Sequence, residues 1–138
     1  MAKAAKTKGI GIKYTDKSAG QPELVPIFKK LVRQLKAHAG GNLKLRGGKD
    51  GQIALVTGKP VVIDGKEREE MWFAAALVQK GYVGFYYMAT GPKLGPQLMK
   101  CLKGKSCFHI KKDDPIIFDQ IEEALRLGVE LYQTKGWI

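Results

Sequence analysis

Residues 71–88 read Met-Trp-Phe-Ala-Ala-Ala-Leu-Val-Gln-Lys-Gly-Tyr-Val-Gly-Phe-Tyr-Tyr-Met, in the most apolar region of the chain. Lys80 sits in its middle, and Gln79-Lys80-Gly81 is turn chemistry rather than membrane interior. The stretch is therefore read as two strands, Met71–Val78 and Tyr82–Met88, joined by a tight connection. In the second strand Val83, Phe85 and Tyr87 alternate with Tyr82, Gly84 and Tyr86, so both faces carry aromatic rings. One face must be core. The other is more apolar than a solvated sheet needs. It predicts a covering helix, a ligand site or a subunit contact.

Upstream of this hairpin the pattern stays strand-like. Leu43 and Leu45 alternate with Lys44 and Arg46, and Gly47-Gly48-Lys49-Asp50-Gly51 reads as a hairpin loop. Gln52–Thr57 and Pro60–Ile63 are short apolar runs, and Asp64-Gly65 is a strong two-residue turn signal. Before them, Leu24, Val25, Ile27, Phe28, Leu31, Val32 and Leu35 recur at spacings of three and four. That spacing predicts one amphipathic helix, opened near Pro22 and stopped by Gly40-Gly41. Downstream, Gly91-Pro92 and Gly95-Pro96 mark a loop, residues 98–102 a short helix, and Ser106–Ile110 a last strand. Asp113 or Asp114 caps a final helix with Pro115 at its start and Ile117, Phe118, Ile121, Leu125, Gly128 and Leu131 as its stripe. Successive strands on turn-length connections are antiparallel. The expected architecture is α+β: a single antiparallel sheet of about five or six strands, with an N-terminal and a C-terminal helix packed on it.

The chain has 138 residues, 24 Lys and Arg against 13 Asp and Glu, and a formal net charge of +11. This length fits one domain with a self-sufficient core, and a hydrophobic share of 44% excludes a disordered chain. The composition also excludes a disulfide scaffold, a collagen-like chain and a coiled coil. The positive charge is concentrated early: residues 1–50 hold 12 basic and 3 acidic side chains. Residues 1–20 read as a basic flexible tail or an edge strand built on Ile10, Ile12 and Tyr14, and 21–138 as the α+β domain. No apolar stretch follows the first lysines, so no signal peptide is read, and a cytoplasmic protein without a membrane segment is expected. Cys101 and Cys107 are then expected to remain thiols.

Several motifs fail on their requirements. Gly104-Lys105-Ser106 resembles the end of a phosphate-binding loop, but Met99 stands where the first glycine belongs and a strand follows instead of a helix. Gly9-Ile10-Gly11 lacks the third glycine of a dinucleotide fingerprint. Cys101, Cys107 and His109 are one ligand short of a tetrahedral zinc site, with only His38 elsewhere. Glu67, Glu69 and Glu70 flank a strand; Asp113, Asp114, Asp119, Glu122 and Glu123 suit a helix N-terminus and need no cation. No catalytic set, metal site or cofactor is expected from these residues.

Three segments, in order, resemble the YdhG-like domain family, a bacterial family of unknown function. They are Trp72-Phe73-Ala74-Ala75, Lys80 to Met88, and Gly104-Lys105-Ser106-Cys107-Phe108-His109-Ile110, with Gly128, Tyr132 and Gly136-Trp137-Ile138 fitting the domain's end. The resemblance covers about residues 22–138. It implies a small cytoplasmic α+β domain, no established enzyme activity, and a suggested frataxin-like iron-chaperone role. Frataxin-type proteins present an acidic ridge, whereas this chain is strongly basic.

The resulting expectation is a non-enzymatic binding or interaction domain, monomeric or homodimeric, with a small ligand or protein partner on the aromatic sheet face. The residues expected there are Trp72, Tyr82, Tyr86, Lys105, Cys107 and His109. Polar-tipped rings beside a lysine suit a small anionic or carbonyl ligand. The alternatives are nucleic-acid binding through the basic tail with Lys13, Lys44, Arg46 and Lys49, and the iron chaperone.

Overall fold

Pro22 begins a short 3-10 turn, Pro22–Leu24, that runs directly into helix α1, Val25–His38. Pro26 falls in the first turn of α1, where a missing N–H costs nothing. The computed structural model describes residues 13–48 and 50–138. After α1 come strands β1 (Leu43–Gly47), β2 (Gln52–Thr57), β3 (Val61–Ile63), β4 (Lys66–Arg68), β5 (Trp72–Gln79) and β6 (Tyr82–Tyr87). A single helical turn, α2 (Pro96–Met99), leads into β7 (Leu102–Lys103) and β8 (Cys107–Ile110), and α3 (Pro115–Thr134) closes the chain. No helix among the described residues is long and apolar enough to cross a membrane.

Six strands form one antiparallel sheet in the order β1-β2-β5-β6-β8-β7. The expected architecture is present, with one addition. β3 and β4 do not join this sheet but pair with each other in a separate hairpin. Its turn is Asp64-Gly65, both at positive φ (51° and 76°), the backbone that a type I′ turn demands. Two boundaries differ from the sequence reading. The short helix ends at Met99 instead of continuing to Leu102, and Leu102-Lys103 becomes the edge strand β7.

Both long helices pack on one side of the sheet. Leu31 from α1, Phe85 from β6 and Leu125 from α3 are fully buried in a single cluster. Within α3 the innermost residue of the last turn is Tyr132, and Leu131 is only half-buried. Asp114 caps α3 by accepting a hydrogen bond from the Ile116 N–H at 2.9 Å. A β-bulge shapes the sheet: Leu55 pairs with Ala74 and Val56 with Trp72, which leaves Phe73 as the extra residue. Phe73 and Ala74 therefore both lie in the helix-side core, while Trp72 turns to the opposite face. Without the bulge, strict alternation counted back from Ala74 would send both Phe73 and Trp72 to the wrong side.

The N-terminal edge strand read for Ile10 and Ile12 lies outside the described residues. Tyr14 is in irregular backbone, its hydroxyl donating to the Val78 carbonyl at 2.7 Å. Gln21 reaches the same end of the sheet. Its amide donates to the Gln79 carbonyl (3.0 Å) and accepts from the Gly81 N–H (2.7 Å), so it clamps the β5–β6 turn.

Candidate functional site

The register fixes which side chains share the face opposite the helices. Ala75 pairs with Tyr86, Leu77 with Gly84 and Gln79 with Tyr82 across β5 and β6. Tyr86 pairs with Cys107 and Gly84 with His109 across β6 and β8, and Lys103 of β7 pairs with Cys107. Directly opposed residues point the same way in an antiparallel pair. Tyr82, Tyr86, Cys107, His109, Gln79 and Lys103 thus share one surface. On β1, Lys44 and Arg46 lie opposite Val56 and Ala54 and belong to the same face.

This face has its own small core of Ala54, Val56, Ala75 and Leu77, with Tyr14, Trp72 and Tyr86 packed against it. Among the described residues, no helical residue takes part in it. Trp72 meets Tyr86 edge-on, with ring centroids 5.6 Å apart. Tyr82 and His109 stack face to face, centroids 3.6 Å apart and planes only 9° from parallel. Gly84 makes the arrangement feasible. A Cβ there would stand 3.0 Å from the Tyr86 ring, a tight contact that would push the ring from its place along the strand.

Burial and neighbours set the protonation of these groups. Burial, then the Cys107 sulfur as hydrogen-bond partner, pushes the Tyr86 hydroxyl up to about 12, with the Gln79 side chain pulling the other way. Burial, with a contribution from Cys107, also raises Tyr82. The Cys107 thiol is raised by burial, only partly offset by its hydrogen bond from Tyr86. His109 is lowered by desolvation and by the charges of Lys111 and Lys103, so its ring is neutral near pH 7 and free to stack and accept. The patch thus offers two phenols, a thiol and a neutral imidazole beside the ammonium group of Lys103.

Five of the six residues expected at the site are on this face; Lys105 is not. It occupies the β7–β8 turn, where Gly104 adopts φ 81°, and lines a cavity on the helix side with Tyr87 and Phe108. A turn residue has no strand parity to aim it, and Lys103 is the lysine that the ladder brings to Cys107. Lys103 and Gln79 escape the sequence reading because cross-strand register alone brings them to this face. Of the four cations in the nucleic-acid alternative, Lys44 and Arg46 share the face, Lys13 is exposed at the start of the described chain, and Lys49 lies outside the described residues. Arg46 is engaged with Glu70 at 2.8 Å. Cys101 and Cys107 are both free thiols. Among the described residues no three His, Cys, Asp or Glu side chains gather in a set able to hold a metal ion.

The raised thiol has a measurable consequence. A thiolate is the reactive form, so alkylation of Cys107 is expected to be slow at pH 7. Its rate should reach its plateau at a higher pH than that of an unperturbed thiol. Cys107→Ser should lower stability by no more than about 1 kcal/mol. Fast, stoichiometric modification at pH 7, followed by mass spectrometry of the labelled peptide, would contradict this.

Compared with models of protein families, with curated proteins and with solved structures, the chain matches none.

Proposed function

We propose that this chain is a non-enzymatic cytoplasmic binding domain that seats a small planar anionic or carbonyl ligand, or the corresponding group of a partner, on the Tyr82–His109–Tyr86–Cys107 patch. The observation that carries this reading is the aromatic surface itself. The rings are half-exposed, stacked and held by cross-strand pairs on the sheet face opposite the two long helices. Flat π-surfaces with polar tips bind flat ligands by stacking and orient them by hydrogen bonds. Lys103 supplies the positive charge that was expected from Lys105. A thiol held protonated, beside an imidazole that is neutral, supports recognition over nucleophilic chemistry.

The test uses nicotinate and adenosine monophosphate as planar anionic probes, read by amide chemical shifts of the full chain. Saturable shifts are expected at Tyr82, Gly84, Cys107 and His109, and Tyr82→Ala should weaken binding about tenfold, the worth of one stacking contact. Shifts confined to the helical side, or none that saturate, would remove the proposal.

A second reading has its own support. Lys44 and Arg46 on one side and Lys103 on the other flank the aromatic strip, and cations bordering stacked rings suit single-stranded nucleic acid. Binding of an oligothymidylate that weakens steeply with salt, with a shallower slope in Lys44→Ala/Lys103→Ala, would favour it over the small ligand.

A further inference from the structure

At the opposite end of β5 from the Tyr82–His109 stack, a cavity of about 460 Å³ opens between the β3–β4 hairpin, the start of β5 and the end of α3. Its volume falls within the range of small-molecule sites. The walls include Trp72 and Trp137, which are the only two tryptophans of the chain. Trp137 is fixed edge-on against the buried Tyr132, with centroids 4.9 Å apart. Met71 and Met88 complete the apolar lining, and Met88 is exposed at 39%, more than an ordinary core methionine. Methionines are adaptable walls that accommodate apolar bodies of varied shape.

The charge of the lining is one-sided. Arg68 and Lys135 both border the cavity, and among the described residues neither meets a carboxylate within ion-pair distance. Lys135 places its ammonium 5.3 Å from the Trp137 ring centroid, over the aromatic wall. The one acidic residue of the lining, Glu70, is turned to Arg46 at 2.8 Å. Two cations bordering a partly apolar, tryptophan-walled space of this size fit a particular ligand chemistry: one negative head group on a hydrophobic body.

We propose that this cavity binds an apolar monocarboxylate, with Arg68 and Lys135 holding the carboxylate and Trp72, Trp137, Met71 and Met88 enclosing the hydrocarbon. An aliphatic and an aromatic acid share that chemistry. The site is separate from the sheet-face patch, and Trp72 alone borders both.

Because both tryptophans line the cavity, intrinsic tryptophan fluorescence of the intact chain reads its occupancy directly. Decanoate is expected to give a saturable change in emission, and 2-naphthoate a saturable heat by calorimetry; the tighter of the two assigns the body as aliphatic or aromatic. Decanol, which lacks the charge, should bind about tenfold more weakly than decanoate. Arg68 and Lys135 are exposed, so Arg68→Gln/Lys135→Gln should fold normally while losing about the same tenfold in decanoate affinity, the combined worth of two surface ion pairs. Tyr82→Ala should leave decanoate binding unchanged, which keeps this result independent of the sheet-face reading. The proposal is overturned by any of four results. These are no saturable response to either acid at millimolar concentration, equal binding of decanol and decanoate, full affinity in the double variant, and loss of decanoate binding in Tyr82→Ala.

Discussion

Replacing Phe85 with alanine is expected to lower the unfolding free energy by about 3–5 kcal/mol, the cost of emptying a fully enclosed aromatic site. The side chain is 0% exposed and packs in one cluster with Leu31 of α1 and Leu125 of α3, with the Phe108 and Tyr87 rings about 6 Å away. Aromatic rings on two sides cannot collapse into the vacated volume, so the cavity term adds to the lost transfer energy. Urea unfolding followed by circular dichroism measures the difference. A loss under about 1 kcal/mol would mean that the ring faces away from the helices.

Gly128→Ala is expected to destabilise the protein by about 1–2 kcal/mol, against the usual direction for a glycine inside a helix. Alanine improves helix propensity by about 1 kcal/mol. Here, however, the new Cβ would stand 2.8 Å from both Phe73 Cε1 and the Tyr87 hydroxyl oxygen. Neither neighbour can yield. Phe73 is completely buried, and the Tyr87 hydroxyl donates to the Ala124 carbonyl at 2.5 Å within the same helix. Overpacking costs about 1–3 kcal/mol, and against such rigid walls the upper part of that range applies, so it outweighs the gain in propensity. Tyr87→Phe removes one of the three clashing atoms, and the double variant should therefore lose less than the sum of the single ones. A stabilised Gly128→Ala would show that α3 lies farther from the sheet than the close approach at this glycine requires.

The elements that sequence patterns revealed are those with local causes. The β5–β6 hairpin follows from two apolar runs interrupted by Gln79-Lys80-Gly81, the Asp64-Gly65 turn from its need for positive φ, and the start of α3 from Asp114 and Pro115. What escaped depends on register. β7 has two residues, too few for any alternation, and the bulge at Phe73 sits in a run where every residue is apolar and periodicity is silent. The parity of β6 correctly grouped Tyr82 with Tyr86, and that of β8 grouped Cys107 with His109. Which of two nearby lysines joins them was decided by pairing across strands, and it is Lys103. The cavity at Trp72 and Trp137 was invisible, because its walls come from residues more than sixty positions apart in the chain.

The β3–β4 hairpin stands outside the main sheet, yet its two ends are stitched side by side. Thr57 donates its N–H to the Met71 carbonyl at 2.9 Å, and its hydroxyl accepts from the Met71 N–H at 2.9 Å. The intervening chain is thus a closed excursion, and the stability cost of lengthening such a loop grows only logarithmically with its size. Ile63 and Arg68 of that excursion nevertheless form part of the tryptophan-walled cavity. Folding and selectivity are therefore assigned to different stretches of the polypeptide. Insertions, deletions or a shuffled hairpin between Thr57 and Met71 can redraw one wall of the cavity while the six-stranded sheet and its helices stay as they are, which makes this segment the natural place for related chains to diverge.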